Sequence, residues 1–153
     1  MSDLRELYQE VILDHGKTPR NFGKIPEASC QSSGHNPFCG DNVTVYLQLE
    51  DNTVSNVLFE GRGCAISIAS ASLMTEILLG KKLDYIERLF AYFHDLVTEM
   101  DPKTNVMPDD EDLEKLSVLA GVREFPMRVK CATLAWHTMQ AALSGKSEDI
   151  STE

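Results

Sequence analysis

Three breaks in hydrophobic period, each with a cysteine at or beside it, constrain this chain most. From Val43 the apolar residues alternate, with Val43, Val45, Leu47 and Leu49 on one side and Thr44, Tyr46 and Gln48 on the other, the pattern of a half-buried strand. Asp51-Asn52 is turn chemistry, and Val54 to Glu60 reads as the returning strand of a hairpin. After Gly61-Arg62-Gly63-Cys64 the pattern turns helical: Ala65 to Leu79 is rich in Ala, Ser, Ile, Leu and Met and meets Gly80, which predicts a largely buried helix with a glycine stop. The stretch Asn36-Pro37-Phe38-Cys39-Gly40-Asp41 precedes the first strand of the hairpin. Antiparallel pairing therefore brings Cys39 and Asp41 to the same end of the sheet as Cys64.

The third break is Pro126-Met127-Arg128-Val129-Lys130-Cys131, where a proline suited to a first helical turn opens a last helix running to about Leu143 before Gly145. Three thiols and one carboxylate, Cys39, Cys64, Cys131 and Asp41, make a tetrahedral set for one soft metal. Zn²⁺ suits it, and so does iron in an iron–sulfur cluster. Cys64, at a helix N-terminus, meets unpaired N–H groups that favour an anionic ligand. Thiolates and a carboxylate around one divalent ion leave an excess of negative charge, and Lys130, Arg128, Arg123 and Arg62 are the cations nearest in sequence. The cysteines do not form CxxC knuckles, so the site is no zinc finger and spacing alone is a weak signal. The competing readings are three buried small apolar residues, a closed structural zinc site and, for Asp41, a solvated turn carboxylate.

The rest of the chain predicts an α+β domain, a small antiparallel three-stranded sheet with helices packed on one face. Leu4, Leu7, Tyr8, Val11 and Ile12 form a helical stripe over 3–15, with Asp3 and Glu6 as a capping box and Gly16 as the close. Lys17 to Ile25 reads as an ordered loop and Pro26 to Ser33 as a short edge strand. Asp84 to Val97 predicts a helix capped by Asp84 with Glu87, Met100 to Asp112 a polar loop, and Leu113 to Ala120 a short helix. The 153 residues, 42% hydrophobic, suit one domain over 1–146, with 147–153 a fraying tail. A net charge of −10 argues against nucleic acid and favours a basic protein partner. No apolar run approaches a membrane span, so the expected location is the cytoplasm. There, four cysteines mean metal or thiol chemistry rather than disulfides.

The blocks Asn36-Pro37-Phe38-Cys39-Gly40-Asp41, Gly61-Arg62-Gly63-Cys64-Ala65-Ile66-Ser67-Ile68-Ala69-Ser70-Ala71-Ser72 and Arg128-Val129-Lys130-Cys131-Ala132-Thr133-Leu134-Ala135-Trp136 resemble the three signature blocks of NifU/IscU-type iron–sulfur assembly proteins. The resemblance extends to Leu7-Tyr8 and Asp14-His15-Gly16-Lys17-Thr18-Pro19-Arg20-Asn21. In the scaffold branch a His precedes the third cysteine; here Lys130 stands there, and an extra stretch around Asp95 to Leu116 separates the second and third cysteines. Both features resemble the SufU branch, whose members are zinc-binding sulfur acceptors for a SufS-like cysteine desulfurase. The resemblance implies the ligand set Cys39, Asp41, Cys64 and Cys131 and makes Cys39 the sulfur acceptor. On this reading the partner offers a competing ligand, Cys39 is released as a thiolate and attacks the enzyme's persulfide, and downstream assembly proteins receive the sulfur. The alternative is a scaffold that builds a [2Fe–2S] cluster on the same residues; a third reading is a metal-stabilised adaptor without sulfur chemistry. Lys130 beside Cys131 is either a solvated residue or a stabiliser of persulfide charge, and Arg128 is a second nearby cation. Outside the blocks, Cys30 reads as an incidental strand residue and His35 as a loop residue with ordinary hydrogen bonds. His15, His94 and His137 read as surface or packing residues, Trp136 and Met139 as core, and Asp109 to Asp112 as a solvated loop.

Overall fold

The computed structural model describes residues 2–36, 40–98, 110–120, 122, 126–144 and 150–151. Helix α1 spans Ser2–Lys17; strands β1 (Cys30–Asn36), β2 (Asp41–Glu50) and β3 (Thr53–Arg62) follow. Helices α2 (Ala65–Leu78), α3 (Leu83–Thr98), α4 (Asp110–Leu119) and α5 (Pro126–Leu143) and strand β4 (Ile150–Ser151) complete the chain. The sheet order is β3-β2-β1-β4. β1–β2 and β2–β3 are antiparallel, which is the expected three-stranded sheet. The hairpin turns through Asp51 and Asn52, both at positive φ (52° and 61°), the geometry of the two-residue loop whose twist matches that of the strands.

The alternating side of β2 does what its period requires. Val43, Val45 and Leu47 are buried with Val57 and Phe59 of β3, and α2 and α5 cover them through Ile68, Met74, Leu134 and Trp136. Trp136 is fully buried, stacked on Phe93 of α3 at 4.5 Å and donating its indole N–H to Ser70 Oγ at 3.2 Å. The loop after α1 is ordered, as expected: Phe59 donates to the Asn21 carbonyl and Gly23 donates to the Phe59 carbonyl, so the outer edge of β3 is covered.

Several boundaries differ from the sequence reading. The edge strand runs over Cys30–Asn36 rather than 26–33 and is internal to the sheet, because Ile150 and Ser151 of the expected fraying tail pair in parallel with Gly34 and His35. His35 is thus a strand residue, not a loop residue. Gly16 does not end α1; it lies inside the helix, where a Cβ would stand 3.3 Å from the Ala65 Cβ, so the glycine serves the close crossing of α1 and α2. Asp84 lies in the first turn of α3 and not at its cap. α4 begins at Asp110, three residues before the expected start. Asp112 is buried there, accepting from the Tyr85 hydroxyl at 2.8 Å and facing Lys81 Nζ at 3.4 Å. Those two partners explain how a residue of an acidic run enters the core. Asp109 and the rest of 99–109 lie outside the described residues.

Candidate metal centre

The site forms where β1 and β2 meet the start of α2 and the first turns of α5. Asn36 and Asp41 are the last pair of the β1–β2 ladder, and the Gly40 N–H donates to the Asn36 carbonyl at 2.9 Å with Gly40 at φ 72°. A positive φ at that position is cheap only for glycine. At the other end of the β2–β3 hairpin, Arg62 pairs with Asn42, so Gly63 and Cys64 emerge beside Asp41. The Cys64 N–H donates to Asp41 Oδ1 at 2.8 Å, and Cys64 Sγ stands 3.9 Å from Oδ2. Gly63 is what permits this approach, since a Cβ there would lie 2.2 Å from Asp41 Oδ1.

Cys64 is the N-cap of α2, and its sulfur accepts the Ser67 N–H at 3.5 Å. That contact satisfies one of the N–H groups left unpaired at the start of the helix. Cys131 is fully buried in α5, its sulfur 3.6 Å from the Met127 carbonyl and 3.9 Å from Asn36 Nδ2. One ligand atom each from Asp41, Cys64 and Cys131 lies within 4.8 Å of the others. In a tetrahedron with Zn–S bonds of about 2.3 Å, ligand atoms stand roughly 3.8 Å apart, so a modest contraction closes this set on one ion. Two thiols and a buried carboxylate are a donor set that fits Zn²⁺ or a thiolate-held iron centre, and a cation would offset the cost of burying Asp41.

Of the four expected ligands the structure therefore brings three together; Cys39 lies outside the described residues. The described cysteines Cys30, Cys64 and Cys131 are free of disulfides. Cys30 opposes Leu47 at the far end of β1, and burial pushes its thiol pKa up, consistent with an incidental strand residue. Arg128 is exposed and Lys130 half-buried on α5; Arg123 lies outside the described residues. Arg62 borders an open depression of about 530 Å³ on the other sheet face with Phe22 and His35. The sequence reading included Asn36 in a block without a role of its own. Its complete burial and its amide near Cys131 make it a positioning residue for that thiol.

A second polar cluster lies behind α2. His15 Nδ1 is 2.7 Å from Ser72 Oγ and Nε2 is 3.6 Å from Glu76, while the Arg20 N–H donates to the same Ser72 oxygen at 2.8 Å. Ser72 is fully buried with these partners, so the trio ties α1 to α2 and presents no nucleophile. His15 is the packing residue expected of it.

Residues 7–132 match the family described as the NifU-like N terminal domain. The chain is 36% identical over 143 residues to a zinc-dependent sulfurtransferase SufU of Bacillus subtilis, covering 94% of this chain and 93% of that one. It is 37% identical over 137 residues to an iron–sulfur cluster assembly scaffold protein IscU of Thermotoga maritima, covering 90% and 92%. Among solved structures it superposes with TM-score 0.78 and 33% identity on a putative iron–sulfur cluster assembly scaffold protein for the SUF system from Fervidobacterium islandicum, over 91% of this chain and 98% of the other. The fold, the three signature blocks and these relatives agree: the chain belongs to the NifU-like N-terminal domain family of iron–sulfur cluster assembly proteins.

Proposed function

We propose that this chain is a zinc-dependent sulfurtransferase that accepts persulfide sulfur from a SufS-like cysteine desulfurase. The observation that carries the reading is the convergence of Asp41, Cys64 and Cys131 within 4.8 Å from three separate elements, with Cys39 two residues before Asp41 in sequence. Cys39, Asp41, Cys64 and Cys131 would hold the ion, which keeps thiols deprotonated at neutral pH. The transfer itself is thiol chemistry. The Cys39 thiolate attacks the outer sulfur of a cysteine persulfide on the partner, the partner's S–S bond breaks, its cysteine leaves as a thiolate, and Cys39 carries the sulfur as a persulfide. No net oxidation occurs. Asp41, held by the Cys64 N–H, and the two remaining thiols keep the centre assembled, and Lys130 and Arg128 lie on the helix that bears Cys131, where they offset its negative charge. The product passes to downstream assembly proteins in a reducing cytoplasm, where free thiols persist. Lys130 before the third cysteine supports the acceptor over the scaffold.

A scaffold that assembles a [2Fe–2S] cluster on the same ligands is the second reading, favoured by the similarity to a relative described as a scaffold. Metal and acid-labile sulfide analysis, with desulfurase turnover in the presence and absence of the chain, separates the two. The acceptor reading expects about one zinc per chain, no sulfide and faster turnover, with stimulation lost in Cys39→Ser while zinc is partly retained. Iron with stoichiometric sulfide and unchanged turnover would overturn it, as would full transfer by Cys39→Ser.

A further inference from the structure

Away from the thiol centre, α3 and α5 together carry a pair of histidines and an unsatisfied acceptor. The His94 and His137 rings lie 6.1 Å apart between centroids at an interplanar angle of 77°. They line an open groove of about 450 Å³ with Gln140, Phe90, Glu87 and Asp95. Gln140 Oε1 is buried and lacks a hydrogen-bond partner among the described residues. An acceptor left in that state costs about 1–3 kcal/mol, which rotation of the side chain toward a ligand in the groove would recover. His137 and Gln140 are three residues apart on α5 and so share a helix face.

We propose that His94, His137 and the Gln140 side-chain oxygen form a second cation site, distinct from the thiol centre, that takes an imidazole-preferring divalent ion such as Zn²⁺ or Co²⁺. The ring separation fits, because two imidazoles on one ion with metal–nitrogen bonds of about 2.0–2.1 Å have centres roughly 5–6 Å apart. The Phe90 ring edge packs on His137 at 5.2 Å and 71°, which limits the orientations its nitrogens adopt. Glu87 and Asp95 on the groove wall add negative charge that favours a cation. Nitrogen and oxygen donors without sulfur, in an open groove, make this an exchangeable site with room for water on the ion. It does not depend on the sulfur-acceptor reading.

The test is a Co²⁺ titration of the full chain, previously supplied with one equivalent of Zn²⁺, followed by calorimetry, visible absorption and imidazole NMR resonances. The expected result is one histidine-dependent equivalent of Co²⁺, with ligand-field bands, no sulfur-to-cobalt charge-transfer band, and broadening of the His94 and His137 resonances. His94→Ala and His137→Ala should each weaken it roughly tenfold or more, Gln140→Leu should weaken it less, and His35→Ala should leave it unchanged. His94 is exposed, so its replacement disturbs the core least and tests the site even if the His137 variant unfolds. Absence of that equivalent, or its survival in His94→Ala/His137→Ala, would mean that only water satisfies Gln140 and would overturn the proposal. A charge-transfer band would show the added metal entering the thiol centre.

Discussion

Asp41 shows how single residues set this centre. Its carboxylate is buried, one oxygen accepts the Cys64 N–H and the other faces the Cys64 sulfur, and all of this requires that Gly63 have no side chain. Gly63→Ala is therefore expected to destabilise the fold by about 1–3 kcal/mol and to lower metal content, read by thermal melting and by zinc analysis of the same preparation. His15 gives a pH dependence. Burial is the main reason that its folded pKa lies below 6.5, with Arg20 adding to the effect while Glu76 and Asp14 oppose it. The stabilisation from neutral His15 is whole above pH 6.5 and is lost as pH falls below that value, because only the unfolded chain then gains the proton readily. Urea unfolding in chelator between pH 7 and 5 should show a loss of no more than about 1.4 kcal/mol per pH unit from this group. His15→Gln should flatten the slope relative to the parent; an unchanged slope would assign the effect to His137, whose pKa burial also lowers.

Among the elements, α5 has the hardest task, since it carries a metal ligand and the centre of the core. Ala132, Leu134, Ala135, Trp136 and Met139 are all buried on it, so it is apolar on nearly every side and has no amphipathic stripe. Trp136→Ala removes the Phe93 stacking and the Ser70 hydrogen bond together. It should cost about 3–5 kcal/mol in denaturant unfolding and should release metal by loosening Cys131, five residues earlier on the helix. Trp136→Phe, which keeps an aromatic ring and loses only the N–H, should cost about 1 kcal/mol. Strand β2 and helix α2 were legible because their periods are clean. The limits of α1, α3 and α4 were not, because those are decided by which residue finds a partner: Gly16 against Ala65 and Asp112 against Tyr85 and Lys81.

At the scale of the molecule, the described ligands come from β2, the start of α2 and α5, so one ion would link elements separated by most of the chain. Bound metal should therefore stabilise the whole fold as ligand binding to the native state does, by about 2.7 kcal/mol when free zinc is 100 times its dissociation constant. Scanning calorimetry with and without a strong chelator checks this, and an identical melting temperature in both would rule the link out. Among the described residues no helix is long and apolar enough to cross a membrane.

The sequence by itself determined the sheet hairpin, the helix that follows Cys64, the burial of Trp136 and Met139, and the meeting of Cys64 with Asp41 at one end of the sheet. Those properties rest on local period and on blocks of adjacent residues, and both can be read along one dimension. Tertiary structure decided the rest. It gave the tail a pairing partner on β1, buried Asp112, put Asn36 against Cys131, and set His94 beside His137 from helices with no ligand spacing between them in sequence. Contacts of that kind depend on the crossing of packed elements, and helix packing geometry is a property of two surfaces that no local pattern encodes.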